Sequence, residues 1–451
     1  GRMKLADKDL YQPVLNGSDE GEFWRAIVQA GNGDLNGASI ELRRSGPIAR
    51  PYPRALRFKL LTVVAEAVVE IGDVRMAETM ISTLLADNLD AAQEAQVKFV
   101  QGRLAELEGD FDGAITLWED VMDSPDRLAR FRAARTRAEL LLRLDRITKR
   151  EATEDLERQR FAWRGDNREF DLLRRLGALY LEQDKYREAL QTLRQAATHF
   201  RDHPDAKAVT KLMSDTFNDL YLNNKADVLP PVMAIAIYEE FKELTPAGAL
   251  GDKMIQNLAD RLVGVDLLDQ AAALLDGQIK YRLQGSEKAR VGARLALIHL
   301  LEQKYKDAEQ AIRTTAGPGL SPELTQQRNH LLVQALMNQQ RYADALAVIE
   351  KDESLDGELL RSEVYWTMGD WNEAAQALQR LVVDSGIQRG QSLDPKQARY
   401  MLNLATAMTL SGNERGLARV RANFGAAMDQ TEFAKAFDLI AARPAAGLIS
   451  P

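Results

Sequence analysis

One pattern recurs along these 451 residues and limits what they can fold into. Between positions 99 and 118, Gly102 and Ala105 are followed by Gly109, Phe111, Ala114 and Trp118. The same order of residue types returns at Gly177, Tyr180, Tyr186, Ala189 and Leu193, and at Leu295-Ala296, His299, Tyr305, Ala308 and Ile312. Leu332, Leu336, Tyr342, Ala345 and Ile349 repeat it, as do Tyr365, Gly369, Trp371, Ala374 and Leu378. Weaker copies run through Trp24, Gly33, Leu35, Ala38 and Leu42, through Ala65, Val68, Gly72, Val74, Ala77 and Ile81, and through Leu262, Leu268, Ala271 and Leu275. A last one holds Leu404, Met408 and Gly412. A unit of this size cannot bury an apolar face alone, so repetition implies units stacked on their neighbours.

The units are helical. Apolar residues recur at spacings of three and four, and the period-two alternation of Val, Ile and Thr that marks strands is rare. At 45% apolar and 28% charged the composition is that of a globular chain, so the fold class is all-α. A small side chain once per unit lets two helix axes approach to about 8–10 Å, and the large residue after it fills the groove. These residues resemble the tetratricopeptide (TPR) repeat, a helix-turn-helix unit. The match is best over 95–125, 171–204 and 289–381.

The aromatic-type positions (35, 74, 111, 186, 230, 268, 305, 342, 371 and 414) are mostly 36 to 44 residues apart, where the TPR family has 34, and the gap from 111 to 186 must hold two units. The resemblance implies an α-solenoid of about ten to eleven degenerate hairpins over 21–440. A flexible segment is expected at 1–20, with Gly1-Arg2 before Met3 reading as a cloning remnant, and a loose tail at 441–451. Irregular units are expected near 130–170, 222–248 and 382–398. Lys225 to Pro231 lengthens one loop before a helix running Val232 to Leu244, and Ala316-Gly317-Pro318-Gly319 and Ser385 to Ser392 break the pattern elsewhere. The interval of 29 between Tyr342 and Trp371 is too short for a full unit, so curvature should change there.

Several function classes fall away. The net charge of -8 and the lack of a long basic run argue against nucleic acid. With no cysteine, disulfides, thiolate nucleophiles and cysteine-ligated metals are excluded. The apolar run from Leu60 to Val69 is interrupted by Glu66 and is far shorter than the roughly 20 residues of a membrane span. His199 and His203 have the i, i+4 spacing of helix-borne metal ligands, but Pro204 closes the helix there and no HExxH glutamate is present. Asn32, Asp34, Asn36 and Gly37 imitate the start of a calcium loop whose twelfth position is Arg43 instead of glutamate. No phosphate-binding loop, nucleophile elbow or kinase signature occurs. No enzyme activity, cofactor or metal is expected.

What the pattern leaves free is surface. The TPR resemblance implies a concave groove lined by the first helix of each hairpin, and its register selects Phe99, Arg103, Glu106, Arg174, His330, Gln334, Met337, Glu363 and Trp366. Trp366 follows the packing residue Tyr365 and is expected to point away from it, as an exposed anchor. Arg103 and Arg174 lack the fuller Lys, Asn and Arg set of a carboxylate clamp, so pairing with neighbouring helices is the expectation for both. The function expected is a non-catalytic scaffold for protein or peptide partners. The spacing also looks like the repeat regions of long exported bacterial TPR proteins of the cell envelope, some of which support motility machinery or envelope assembly, which implies a fragment of a larger protein located in the periplasm. The alternative is a substrate- or peptide-recruiting arm of an enzyme or transport system whose catalytic domain lies outside this sequence.

Overall fold

The computed structural model describes residues 9–10, 15, 17–31 and 34–441, and among them regular structure is helical throughout. The expected loose ends fall largely outside the described residues. The protein divides into two compact units, Gly1–Phe217 and Asn218–Pro451. In the first, five hairpins follow one another: α1 (Asp19–Gly31) with α2 (Leu35–Ser45), α3 (Arg54–Glu70) with α4 (Val74–Leu85), α5 (Ala91–Glu108) with α6 (Phe111–Met122), α7 (Arg127–Arg143) with α8 (Lys149–Gln159), and α9 (Asn167–Leu181) with α10 (Tyr186–His199). Helix α11 (Ala206–Leu222) carries the unit boundary. The second unit continues with α12 (Pro231–Glu240), then α13 (Ala249–Gly264) with α14 (Leu268–Tyr281), α15 (Gly285–Leu301) with α16 (Tyr305–Thr314), and α17 (Pro322–Asn338) with α18 (Tyr342–Val348). Its last elements are α19 (Leu355–Met368) with α20 (Trp371–Asp384), α21 (Pro395–Leu410) with α22 (Glu414–Met428), and α23 (Ala434–Ala441).

One turn builds most of these hairpins. After α3, α5, α7, α9, α13, α15, α17, α19 and α21 a single residue takes a left-handed conformation: Gly72, Gly109, Asp145, Asp184, Asp266, Gln303, Gln340, Gly369 and Gly412, with φ between 55° and 86°. The next backbone N–H then donates to the carbonyl five residues back at 2.8–3.0 Å, as Asp110 does to Ala105 and Lys185 to Tyr180. This satisfies orphan carbonyls at the helix end and reverses the backbone direction. Five residues beyond the left-handed residue stands the alanine of the crossing: Ala77, Ala114, Ala189, Ala271, Ala308, Ala345 and Ala374 are all fully buried.

The first helix contributes the close approach. A Cβ on Gly102 would lie 2.4 Å from Nε1 of Trp118, and one on Gly177 would lie 2.5 Å from Cδ2 of Leu193, so the second helix seats its large side chain against bare backbone. First helices also pack on first helices, α3 on α5 and α5 on α7 in one unit, α15 on α17 and α17 on α19 in the other. Each unit is thus a stack of α-solenoid type.

The irregularities differ from expectation in detail. Residues 130–170 hold an ordinary hairpin, with Asp145 left-handed and the N–H of Arg146 on the carbonyl of Leu141. Its turn carries two extra residues, so the second helix starts after the N-cap Thr148 and the crossing alanine moves to Ala152. The helix expected over Val232 to Leu244 ends at Glu240, and a 3₁₀ turn, Lys242–Leu244, follows. The short interval before Trp371 is absorbed by α18, which has seven residues.

Candidate binding clefts on the first-helix faces

Helices α3, α5 and α7 leave a cleft of about 340 Å³ between them, and three of the expected groove residues, Phe99, Arg103 and Glu106, line it. They do different work. Phe99 is 4% exposed and forms floor, not a contact residue as the register implied: its carbonyl accepts the indole N–H of Trp118 at 3.2 Å, and the Arg132 guanidinium lies 4.1 Å above its ring. Arg132 is itself held by both oxygens of Glu66, at 2.7 and 2.9 Å. This long arginine reaches over from the adjacent helix, which is why a helical register within α5 gives no sign that Phe99 is covered.

The rim is ionic. Arg103 reaches Glu70 and Glu106, both at 3.3 Å, and Glu106 also receives Arg143 at 2.7 Å. On the far side Arg175 donates to Glu139 at 2.8 and 3.1 Å. Arg135, which also lines the cleft, lies among these charges and has no ion pair or hydrogen bond among the described residues. Burial pushes its pKa below the usual guanidinium value, Asp171 and Glu139 oppose that shift, and Arg174 and Arg175 add to it. Arg174 lies outside the cleft lining and spans Asp171 at 3.6 Å and Asp205 at 3.4 Å, the inter-helix pairing expected of it.

In the second unit the expected residues lie on α17 and α19. Met337 and the α19 face meet, the Thr367 hydroxyl lying 3.9 Å from the Met337 sulfur, and Gln334 is half-buried nearby on α17. Glu363 is exposed at the residue level, although partial desolvation pushes its carboxyl pKa up. His330 is mostly covered, its Nε2 2.6 Å from Asp352. Trp366 departs from expectation: it is half-buried, edge-on to Trp371 at 5.3 Å, and packed against the core of the last hairpins.

Sequence reasoning missed a second cleft, of about 410 Å³, between α13, α15 and α17. Its apolar wall includes Leu297 and Leu301, 46% and 56% exposed. The available signal was that 297 and 301 are one helical turn apart and off the face carrying Leu295, Ala296 and Ile298.

Two polar clusters among the described residues have structural arrangements. Ser354 and His330 bind opposite oxygens of Asp352, at 2.7 and 2.6 Å, and the serine hydroxyl also caps α19 by accepting the N–H of Gly357. The histidine therefore does not activate the serine. These contacts, against the opposing cost of burial, leave the Asp352 pKa at about 2. His199 ends α10, while His203 stacks on Phe170 at 3.8 Å in the turn beyond, so the two do not share a helix face. Asp34 caps α2 by accepting from Gly37; Asn32 and Gly33 lie outside the described residues. Among the described residues no group of three or more His, Asp or Glu could hold a metal ion, and no helix is long and apolar enough to cross a membrane.

Neither a family model nor a curated protein sequence matches the protein. Among solved structures it is similar to the APC/C hetero-tetramer Cut9-Hcn1, at 13% identity over 98% of this chain and 93% of that one, with a TM-score of 0.25. It is also similar to the TPR domain of P58(IPK), at 13% identity over 92% and 95% of the two chains, TM-score 0.22. A third likeness is to the C-terminal part of a TPR repeat-containing protein from Cytophaga hutchinsonii, at 12% identity over 68% and 98%, TM-score 0.31. The hairpin architecture rests on the turns and crossings described above.

Proposed function

We propose that this protein is a non-catalytic scaffold that binds a protein or peptide partner, with the α3–α5–α7 cleft as a docking face. The observation that carries the reading is the cleft itself, walled by arginines and glutamates of α3, α5 and α7 above a floor that is closed by Arg132 over Phe99, on helices that bury their other faces in the stack. A recessed face with these charged groups offers a partner segment charge-assisted hydrogen bonds. The test is a photocrosslinker, benzoylphenylalanine, placed at Thr136 in the cleft or at the exposed Lys211 outside it, in the source organism. Discrete protein adducts are expected from Thr136 and not from Lys211. Equal labelling from both, or none from Thr136, removes the cleft as the docking face.

The same reading takes the sequence as part of a larger bacterial envelope protein that supports assembly of motility or envelope machinery, in the periplasm. A cysteine-free sequence is compatible with that location, since it needs neither a reducing environment nor disulfide formation. Fractionation of the source cells tests it: recovery in the cytoplasmic fraction contradicts the location and leaves the docking face untouched.

A further inference from the structure

Two exposed apolar features of the protein carry opposite charge. The first is the turn between α8 and α9. Phe161 is 67% exposed there, yet it is held in place: the Arg127 guanidinium donates to its carbonyl and to that of Ala162, and the Arg164 guanidinium lies 4.8 Å over its ring. Ala162 and Trp163 pack on the core, and the N–H of Gly165 donates to Glu169 at 2.7 Å. Residues 158–168 contain four arginines and one aspartate, a net charge of +3 in a sequence of -8. Arg158, Arg160 and Arg168 pair with nearby carboxylates. Among the described residues Arg164 has only the ring of Phe161, and Arg127 only the two carbonyls.

The second feature is α12. All ten residues from Val228 to Ile237 are apolar. Ala234, Ile237 and Tyr238 are buried, so the opposite face, with Val232, Ala236 and Glu239 at i, i+4 and i+7, is turned outward. Val228 and Val232 are 76% and 66% exposed, and Met233 is 41% exposed. Residues 227–243 carry four carboxylates and one lysine, a net charge of -3, and Lys225 just before them is paired with Asp219. Asp227 and Glu239 make long ion pairs, 3.7 Å to Arg261 and 3.8 Å to Lys242, with their own side chains 62% and 55% exposed. Pairs of this kind contribute little and exchange readily.

We propose that these are the two halves of a contact between copies of this protein, Phe161 of one copy seating on the outward face of α12 of the next. The charges are complementary, and an aromatic beside arginines on an aliphatic seat has the composition of an interface core. With the ring over the small Ala236, the Arg164 guanidinium comes level with Glu239, which lies about 4.5 Å farther along the helix. Holding Phe161 in place beforehand lowers the entropy cost of docking. A second copy covers both features at once, whereas an anionic lipid surface or an acidic partner would cover the turn and leave α12 bare. The two halves are different surfaces, so the contact is heterologous and joins copies head to tail, in a closed ring or an open chain. It goes beyond the docking face proposed above and does not depend on it.

Sedimentation velocity of the 451-residue protein at rising concentration tests this. The weight-average mass is expected to rise with concentration at low salt, and to rise less at about 1 M salt, where the screening length is about 3 Å. Phe161→Asp removes the anchor and Val232→Arg removes the seat, and each should associate at least about tenfold more weakly than the wild type. Both positions are exposed, so both variants should melt with the wild type, which separates loss of association from loss of fold. Mixed one to one, the two variants should recover a dimer, because the intact turn of one fits the intact α12 of the other. Arg164→Gln should weaken association and flatten its salt dependence. A wild type that stays monomeric throughout, either of the first two variants associating as the wild type does, or a mixture that stays monomeric overturns the inference.

Discussion

Gly102→Ala reverses the sign that helix propensity alone would give. In an exposed helix interior, alanine is about 1 kcal/mol better than glycine. Position 102 is not exposed: the added Cβ would lie 2.4, 2.8 and 2.9 Å from Nε1, Cδ1 and Cε2 of Trp118, where carbon contacts settle at about 3.5–4.0 Å. Trp118 is fully buried and its N–H is fixed on the carbonyl of Phe99, so the ring cannot swing away into solvent. Overpacking costs about 1–3 kcal/mol and a weakened hydrogen bond about 1 more, against a propensity gain of about 1. The expected result is a net loss of about 1–3 kcal/mol. Gly277→Ala is the control, because it lies within α14 with nothing within 4 Å of the added atom, and it should stabilise by about 1 kcal/mol. Stacked hairpins can open separately, so the readout is native-state hydrogen exchange by mass spectrometry on the hairpin concerned instead of one global melt. If Gly102→Ala raises protection in α5 and α6 as Gly277→Ala does in α14, the close-approach account of the hairpin is wrong.

Other perturbations follow from single features of the stack. The Asp352 carboxyl titrates at about 2 in the folded protein against an ordinary value of 3.8, so its contribution of about 2 kcal/mol is present above pH 3.8 and is lost as the pH falls toward 2. Exchange protection of α17 and α19 should fall through that window, and Asp352→Asn should flatten the dependence. Gln303 and Gln340 are exposed residues held left-handed at φ 59° and 63°, so glycine at either should stabilise its hairpin by about 1 kcal/mol in urea unfolding. Arg328 is 3% exposed and donates to the carbonyls of Ala289 and Ile312 and, at 3.1 Å, to the Thr315 hydroxyl. Arg328→Met leaves the Ile312 carbonyl at the end of α16 without that donor and should lower protection of α16 by about 1–3 kcal/mol.

The hairpin plan was legible because turn and crossing are local. Positions 35, 74, 111, 186, 268, 305, 342, 371 and 414 each open a helix, and 230 falls one residue before Pro231. The hairpin between 111 and 186 was hidden by its two extra turn residues, which put Arg150 where an alignment expects the alanine and Ala152 two places late. The site was less legible. A register identifies the side of a helix from which a residue emerges but not how deep it ends up. Depth comes from residues of other elements: Arg132 covers Phe99, Asp352 holds His330, and Trp371 takes an edge of Trp366.

Arg135 shows why the pairing of charges in the cleft had no local signature. Arg135 and Glu139 stand four apart on α7, a spacing at which sequence reasoning pairs them within the helix. In the structure Glu139 belongs to Arg175, 36 residues downstream. That pairing is one rung of a ladder, since Arg103 reaches back 33 residues to Glu70 and Arg143 reaches back 37 to Glu106. Helices α3, α5 and α7 each offer a glutamate to an arginine of the next first helix, at about one repeat length. Such partly exposed pairs contribute about 0–1 kcal/mol each, too little to hold the stack but enough to settle which carboxylate goes to which arginine. Once the ladder has taken Glu70, Glu106 and Glu139, and Glu66 has gone to Arg132, Arg135 is left over. That it has no ion-pair partner among the described residues is therefore a consequence of the repeat, because the same periodic pairing that joins successive helices removes the carboxylate nearest to it in sequence.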